Sequence, residues 1–498
     1  MKDLNPLAHS LEQRSSRLKH IRGQYFDLLI IGAGVHGALA AWIAAKLGYS
    51  VLLVEAADFG QGTSSRSSKL LHGGVRYLEQ GDLGLVYKSL IERDAFLRMA
   101  PHLSRAIPFL FLIKEGQTAP APLVRIGLFL YEKLSKLTGP SSDLDINSLL
   151  QKLTQLGFDA SQLVRYHDGQ VNDVRFCIEA ISEASALGAQ TFNYMNFSSA
   201  SFDGESWIVN IEDQVGKEEI QLKVGKIANL SGAGVLKVHQ SCSLEWPTHW
   251  PQLTFSTGVH LYFDKPWHQA GLILPAETRG RYYFILPAFT PYRTGVLVGT
   301  TDCKTESPSC YPTPSEAEVE QLFSLLKRDL PNAGFDKTTL YHAVSGTRVL
   351  AGIQSESHKL KRNEQILALN SYATIIGGKY TTARNTACKL LEKLFERKIP
   401  NFNLILSGSK NYVQPQVVNK QDLMQIERIA ASNRFGANAE CFLNSSKNLK
   451  ELIESQIKHC VEKEQAIYWE DVFSRRLNLD YLSKNSEILE HYQQFSSK

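Results

Sequence analysis

The chain is short of patterned cysteine, of charge of one sign and of long apolar runs, and each lack removes a class of function. Its seven cysteines, Cys177, Cys242, Cys303, Cys310, Cys388, Cys441 and Cys460, are scattered and odd in number. No pair has the C-x-x-C spacing of a zinc site, and nothing suggests a disulfide framework. No metal centre is expected, and a reduced, cytosolic compartment fits best. Lys+Arg 54 against Asp+Glu 50 leaves a formal net charge of only +4. That balance, with no basic stripe carrying interleaved aromatics, argues against a nucleic-acid partner. No run approaches the roughly 20 apolar residues of a membrane span, and the first residues lack the apolar core of a signal peptide. Internal repeats and low-complexity tracts are absent too. What remains is an ordinary globular composition in 498 residues, 43% hydrophobic, enough for two or three domains with a real core.

Residues 26–55 read as one complete dinucleotide-binding unit. The apolar run 26–31 (FDLLII) predicts a strand, and it leads directly into Gly32-Ala33-Gly34-Val35-His36-Gly37. An Ala-rich helix over 38–47 and a second strand over 50–54 follow, ending in Glu55. Gly32 permits the tight turn, Gly34 lets backbone N–H groups approach a pyrophosphate, and Gly37 allows close helix–strand packing. The helix N-terminus offers unpaired donors and a positive dipole end to phosphates. Glu55 has the spacing of an acid that accepts from the adenosine ribose hydroxyls. A lone glycine pattern is weak, whereas the pattern set between two strands and a helix is specific.

The rest of the chain divides by pattern. Residues 1–24 are polar and basic, with Arg14, Arg17, Lys19 and Arg22, and read as a mobile tail or a loosely docked helix. A Gly/Ser/Thr-dense stretch over 60–68 is unlike an ordinary Rossmann continuation, and helical patterning returns over 85–98. Strand-like alternation fills 205–230, and further strands are expected at 260–263, 282–286 and 295–299. The apolar run 372–376 feeds Gly377-Gly378-Lys379 and a helix to about 397, a second strand–glycine–helix junction. From about 405 the pattern is of charged helices, such as 449–462, and reads as a separate small helical domain.

Several segments in this order resemble the signature of the FAD-dependent, respiratory (aerobic) glycerol-3-phosphate dehydrogenases. They are the run from Gly60 through Thr63-Ser64-Ser65-Arg66-Ser67-Ser68-Lys69-Leu70-Leu71-His72-Gly73-Gly74-Val75-Arg76-Tyr77 to Glu79, then 125–131, Val298-Gly299-Thr300-Thr301-Asp302, Ser345-Gly346-Thr347-Arg348, Gly377-Gly378-Lys379 and 469–476. The likeness runs collinearly from about 26 to 480. It implies an α/β fold: a Rossmann-like FAD domain of the glutathione-reductase type, an inserted antiparallel-sheet substrate domain and a C-terminal helical domain. The corresponding boundaries are FAD-binding segments at about 25–105, 165–245 and 345–400, substrate segments at about 106–164 and 246–344, and a helical domain over 401–498. The implied cofactor is FAD. Thr63, Ser64, Ser65 and Ser67 would offer donors to the flavin and its phosphates. Leu71, His72 and Gly73 would lie near the isoalloxazine edge, and Gly377 and Gly378 would open a helix towards the flavin pyrimidine ring. His72 also has a plainer reading as a backbone-bonding residue of a glycine turn.

The resemblance implies oxidation of sn-glycerol 3-phosphate to dihydroxyacetone phosphate, hydride passing from C2 to flavin N5 and electrons leaving to a membrane quinone. A dianionic phosphate asks for cations, and Arg76, Arg348 and Lys379 stand in matched motifs with Tyr77 beside them. The resemblance offers His260 and Arg348 for the base. Imidazole titrates near neutrality and guanidinium does not, which favours His260 as base and Arg348 as anchor. Leu123, Ile126, Leu130, Leu134 and Leu137 fall at helical spacing beside Arg125, Lys133 and Lys136. They predict a cationic amphipathic helix over 123–137, packed on the core or lying on an anionic lipid surface. The expected location is the cytoplasmic face of a membrane, peripherally attached, or the cytoplasm, with the oligomeric state open and a homodimer included. The rival readings are a same-fold enzyme for another 2-hydroxy acid or an amine, one that reduces oxygen, and a non-catalytic FAD-binding protein.

Overall fold

The computed structural model describes residues 7–73, 83–113, 121–135, 146–157, 163–265, 267, 270–278, 281–289, 292, 295–352, 364–415, 422–481 and 487–496. Two sheets carry the site. In chain order the strands are β1 (Tyr25–Ile31), β2 (Val51–Val54), β3 (Leu70–Leu71), β4 (Ser104–Leu112), β5 (Leu163–Val171), β6 (Gln190–Phe192), β7 (Met195–Phe202), β8 (Trp207–Asp213) and β9 (Glu219–Asn229). Then follow β10 (Leu253–Phe263), β11 (Gly271–Pro275), β12 (Tyr282–Pro287), β13 (Val296–Gly299), β14 (Cys303–Thr305), β15 (Leu340–Ala351), β16 (Gln365–Leu369) and β17 (Tyr372–Ile376).

The first sheet has the order β16-β17-β9-β1-β2-β6, with β8 and β7 attached beside β9. Its centre is parallel: β1 pairs with β2 and β9, so that Ile31 lies opposite Val54 on one side and Asn229 on the other. Three strands therefore end at one edge, and the turns carrying Gly32, Glu55 and Leu230 meet there, forming the crevice in which open parallel sheets bind ligands. The Val35–Lys46 helix is buried from Val35 to Ala45 except for His36. Its alanines let it pack between the sheet and the Asp173–Ala186 and Ala383–Phe395 helices. A Cβ on Gly37 would stand 1.9 Å from the Gly32 carbonyl oxygen, which makes that glycine a condition of the helix–turn contact.

The second sheet runs β14-β10-β13-β12-β11-β4-β5-β3, with β15 on the other side of β10. Its pairs are antiparallel except β4 with β11. Strand β5 continues in this sheet to Val171, and β15 to Ala351. The expected seams at about 105, 165 and 345 thus fall inside β4, β5 and β15.

The basic N-terminal segment is not a mobile tail among its described residues. Ala8–Ile21 is a helix whose Leu18 and Ile21 enter the core. Arg14 is buried, donating to Asp213 Oδ1 at 2.7 Å and to the Asn193 carbonyl at 2.7 Å. Composition alone suggested solvent, since the buried partners lie about 200 residues away. The C-terminal helices Leu423–Phe435, Leu449–Glu462 and Glu487–Ser496 share a core of their own. They are joined to the nucleotide half by buried ion pairs. Asp58 accepts from Arg475 Nε at 2.5 Å and from Arg476, and Arg175 reaches Glu464 at 2.7 Å. Removing one partner of such a pair costs roughly 3–5 kcal/mol, because the other charge stays buried.

Candidate active site

The two sheets enclose a cleft of about 1050 Å³. The β1, β2 and β9 turns line its nucleotide end with Gly32, Gly34 and Glu55; Tyr166, Asp168, His260, Arg281, Tyr282 and Arg348 line it from the second sheet and its loops, the substrate end; Ser67, His72 and Gly377–Lys379 line it as well.

The nucleotide end is built largely from backbone. Gly32 adopts φ +105°, and a Cβ there would meet the Leu230 carbonyl oxygen at 2.5 Å, so only glycine fits the turn. Ser64 Oγ accepts from Val35 N–H at 2.9 Å, placing a hydroxyl at the mouth of the helix. Glu55 accepts from Ala33 N–H on Oε2 at 2.8 Å, and from Ala57 N–H and the Tyr311 hydroxyl on Oε1, both at 3.1 Å. Burial pushes its carboxyl up against these donors. A carboxylate has about four acceptor sites, and these three bonds leave one on Oε2 for a ribose hydroxyl. His36 Nε2 is buried without a partner among the described residues, and its ring lines the cleft close to Gly378. Burial lowers this histidine to about 4, keeping it neutral. A cradle of this shape, with a spare acceptor and an orphaned imidazole nitrogen, fits a dinucleotide cofactor with polar groups along its length.

Other expected cofactor residues divide. Thr63, Ser67, His72, Gly377 and Gly378 line the cleft. Thr63 Oγ1 donates to the Thr347 carbonyl, joining the two halves, and Ser67 Oγ donates to Asp173. The His72 N–H donates to Thr381 Oγ1, and the residue lines the cleft. Gly37, Ser65, Leu71 and Gly73 do not line it. Ser65 closes its own turn on Gln61 and Gly62, Leu71 belongs to the core, and Gly73 N–H donates to Tyr131 Oη. Their motif position marks the loop, and only the packing shows which side chains face inward. Arg76 and Tyr77 lie outside the described residues.

The substrate end is built from side chains on distant strands. Antiparallel pairing sets Ser256 opposite Arg348, Gly258 opposite Gly346 and His260 opposite Val344. Alternation puts Ser256, Gly258 and His260 on one face of β10. A Cβ on Gly258 would stand 2.1 Å from Arg348 Nη2, so that glycine makes the room the guanidinium occupies. Arg348 donates to the Thr257 and Thr301 carbonyls, to Thr300 Oγ1 at 2.8 Å and to Asp302 at 3.4 Å, which fixes the fork in place. Thr301 instead accepts from Val259 N–H and donates to Glu318, a structural role.

His260 is buried, with Nε2 2.8 Å from Ser68 Oγ and Nδ1 lacking a partner among the described residues. Burial, then the charges of Arg348 and Lys69, lowers its pKa to about 3, so the imidazole is neutral and has a free lone pair or N–H to offer. Lys379 lines the cleft, as do Arg66 and Arg281. Arg66 donates to the Pro312 and Ser345 carbonyls.

Sequence reasoning passed over Ser68, Lys69, Asp168, Arg281 and Tyr311. Lys69 pairs with Asp173 at 2.5 Å in the interior. Asp168 accepts from Tyr131 Oη at 2.7 Å and from Arg93, and burial raises it to about 6. Ser68 and Lys69 stood inside the matched run. No local signal marks Asp168, Arg281 or Tyr311, which reach the cleft only through the second sheet and its loops.

The sequence matches the family model for FAD dependent oxidoreductases (DAO) over residues 27–362. An aerobic glycerol-3-phosphate dehydrogenase of Staphylococcus saprophyticus is 26% identical, over 97% of this chain and 92% of that protein. A probable mitochondrial glycerol-3-phosphate dehydrogenase of Dictyostelium discoideum is 30% identical, over 92% of this chain and 78% of that protein. The solved glycerol-3-phosphate dehydrogenase of Bacillus halodurans, complexed with FAD, shares the fold with a TM-score of 0.70 at 20% identity, covering 97% of this chain and 96% of that one. Cradle, cleft and collinear match together lead to one assignment: the chain belongs to the FAD-dependent oxidoreductases, among the glycerol-3-phosphate dehydrogenases, and its cofactor is FAD.

Proposed function

We propose that the chain oxidises sn-glycerol 3-phosphate to dihydroxyacetone phosphate and passes the electrons to a membrane quinone. The observation that carries the reading is the placing of His260 and Arg348 in one cleft with the nucleotide cradle, walled by further cations. FAD, when bound, supplies the acceptor for the hydride of C2. The protein does the rest. Arg348, held by carbonyls and Asp302, keeps a fixed positive charge at the substrate end, and Arg281 and Lys379 add to the field that draws a dianion. Arg76 and Tyr77 belong to the same reading through their matched motif.

His260 is the group that takes the hydroxyl proton. It is neutral, and its low proton affinity in the free cleft reflects burial and two neighbouring cations. A dianionic substrate offsets those cations and so raises the proton affinity when the proton must be accepted. Ser68 fixes the ring through Nε2.

Membrane attachment is supported by the Ala121–Leu134 helix. Val124, Leu128 and Tyr131 pack inward, while Leu123, Ile126, Phe129 and Leu130 face solvent, with Ile126 58% and Phe129 60% exposed. Arg125 and Lys133 are exposed beside them. Residues 123–134 of the expected 123–137 helix lie in this span, whereas Lys136 and Leu137 lie outside the described residues. An apolar exposed face with a cationic border suits an anionic lipid surface. Among the described residues no helix is long and apolar enough to cross a membrane. The attachment in this reading is peripheral, on the cytoplasmic side.

Anaerobic titration of the purified protein with sn-glycerol 3-phosphate, followed by flavin absorbance, tests the reading. Bleaching at low substrate excess, then faster reoxidation by a soluble quinone than by oxygen, is the expected result. A flavin that stays oxidised retires the substrate, and preferential reoxidation by oxygen retires the quinone.

A further inference from the structure

The connection from β14 to the Glu316–Asp329 helix takes an indirect route. Both of its ends belong to the second sheet and its covering layer, yet residues 309–312 cross to the nucleotide end of the cleft. Four contacts hold them there. Thr347 Oγ1 donates to the Ser309 carbonyl at 2.6 Å, and Arg66 Nη1 donates to the Pro312 carbonyl at 3.0 Å. Cys310 Sγ lies 4.0 Å from the Ser231 carbonyl oxygen, in the turn after β9. The Tyr311 hydroxyl donates to Glu55 Oε1 at 3.1 Å. A loop fixed by contacts to three separate segments of the nucleotide cradle has lost much conformational freedom, and no catalytic group lies on it to explain the ordering.

Glu55 gives the loop its chemical meaning. With Ala57 N–H and the Tyr311 hydroxyl on Oε1, that oxygen is saturated, and the remaining acceptor site is on Oε2 beside Ala33 N–H. The tyrosine thus decides which carboxylate oxygen faces a ribose. It also supplies a hydroxyl donor to a buried carboxylate that would otherwise favour protonation. A ribose diol needs an ionised, oriented acceptor at this position.

We propose that residues 309–312 form a strap that retains the adenosine end of FAD, with Tyr311 as the positioning residue that orients Glu55. The strap acts on the half of the cofactor that FMN lacks. Its loss therefore weakens FAD and spares FMN, a selectivity that general destabilisation does not produce.

The test compares the full-length wild type with Tyr311→Phe, Tyr311→Ala and Thr347→Val. Apoprotein prepared from each holoenzyme is titrated with FAD and with FMN, following flavin fluorescence, and the release rate of FAD is measured on dilution. Tyr311→Phe removes one oxygen from a hydrogen bond to a charged group and should raise the FAD Kd about tenfold or more. Tyr311→Ala should raise it further, and Thr347→Val should raise it less. FMN affinity should stay at the wild-type value in all three. In Tyr311→Ala, alkylation of Cys310, located by peptide mapping, should become faster in the FAD-bound protein. Wild-type FAD affinity in Tyr311→Phe and Tyr311→Ala overturns the proposal. So does an equal loss of FAD and FMN, which marks Tyr311 as a structural residue only. Tyr311→Phe keeps the ring, so the test survives a Tyr311→Ala protein that fails to fold.

Discussion

The two ends of the cleft are built by opposite strategies. The nucleotide end comes mainly from about thirty consecutive residues and works with backbone: a positive-φ glycine, a helix mouth and one carboxylate. The substrate end comes from strands scattered between Leu163 and Ala351, β5, β10, β12 and β15, and works with side chains that other side chains hold in place. Backbone recognition tolerates almost no added atom, while side-chain recognition depends on what sits next to each functional group. The same substitution, glycine to alanine, should therefore fail differently at each end.

At the nucleotide end the effect should be largest. Gly32→Ala puts a Cβ 2.5 Å from a carbonyl oxygen at φ +105°, and Gly37→Ala puts one 1.9 Å from another. Either protein should be recovered insoluble or nearly free of flavin, read as the ratio of flavin to protein absorbance; normal flavin content would break the comparison. Gly258→Ala, at the substrate end, should keep the flavin while forcing the Arg348 guanidinium aside. Displacement of about 1 Å is worth roughly a hundredfold in rate. Turnover on glycerol 3-phosphate should fall by about that factor with unchanged flavin content, a split that a general folding defect would not give.

His260→Asn should lower kcat by about 10²–10⁴-fold, the range for a lost general base. Its pH behaviour is more specific. The kcat/KM profile reports the free enzyme, where His260 titrates at about 3, so an acid limb near 6.5 should be missing. The same shift has a sign for stability. Between pH 6.5 and 3 the unfolded chain binds a proton at His260 that the folded chain does not, so stability falls as pH drops through that window. His260→Asn should flatten the His260 share of that slope in urea titrations. The smallest effect on catalysis should come from Ile126→Glu with Phe129→Glu. These exposed positions should leave turnover with a soluble acceptor intact and abolish binding to anionic vesicles; retained binding would remove this helix as the attachment face.

How much of this was legible differs between the halves for the same reason. Strand 26–31, the glycine turn, the buried Ala-rich helix and Glu55 could be read because strand, turn, helix and strand follow one another directly along the sequence. Helix 449–462 has the bounds its periodicity predicts. Arg14 misled, since an arginine in a polar segment reads as solvent-exposed unless Asp213 and the Asn193 carbonyl are known to face it. Leu71 and Gly73 stand in the matched motif, and the structure places Leu71 in the core and the Gly73 N–H on Tyr131 Oη. Asp168 and Tyr311 carried no signal, for an aspartate in a strand and a tyrosine in a loop are ordinary until a cleft forms between them and their partners.

The sequence by itself determined the dinucleotide unit, the two-sheet α/β plan and the family, because these rest on local geometry and on an ordered set of motifs. The tertiary structure alone decided which motif residues face the cleft, how Gly258 makes room for Arg348, why His260 is neutral and how residues 309–312 reach Glu55. Those properties depend on desolvation and on contacts across long stretches of chain, and burial and charge proximity exist only once the sheets have closed on one another.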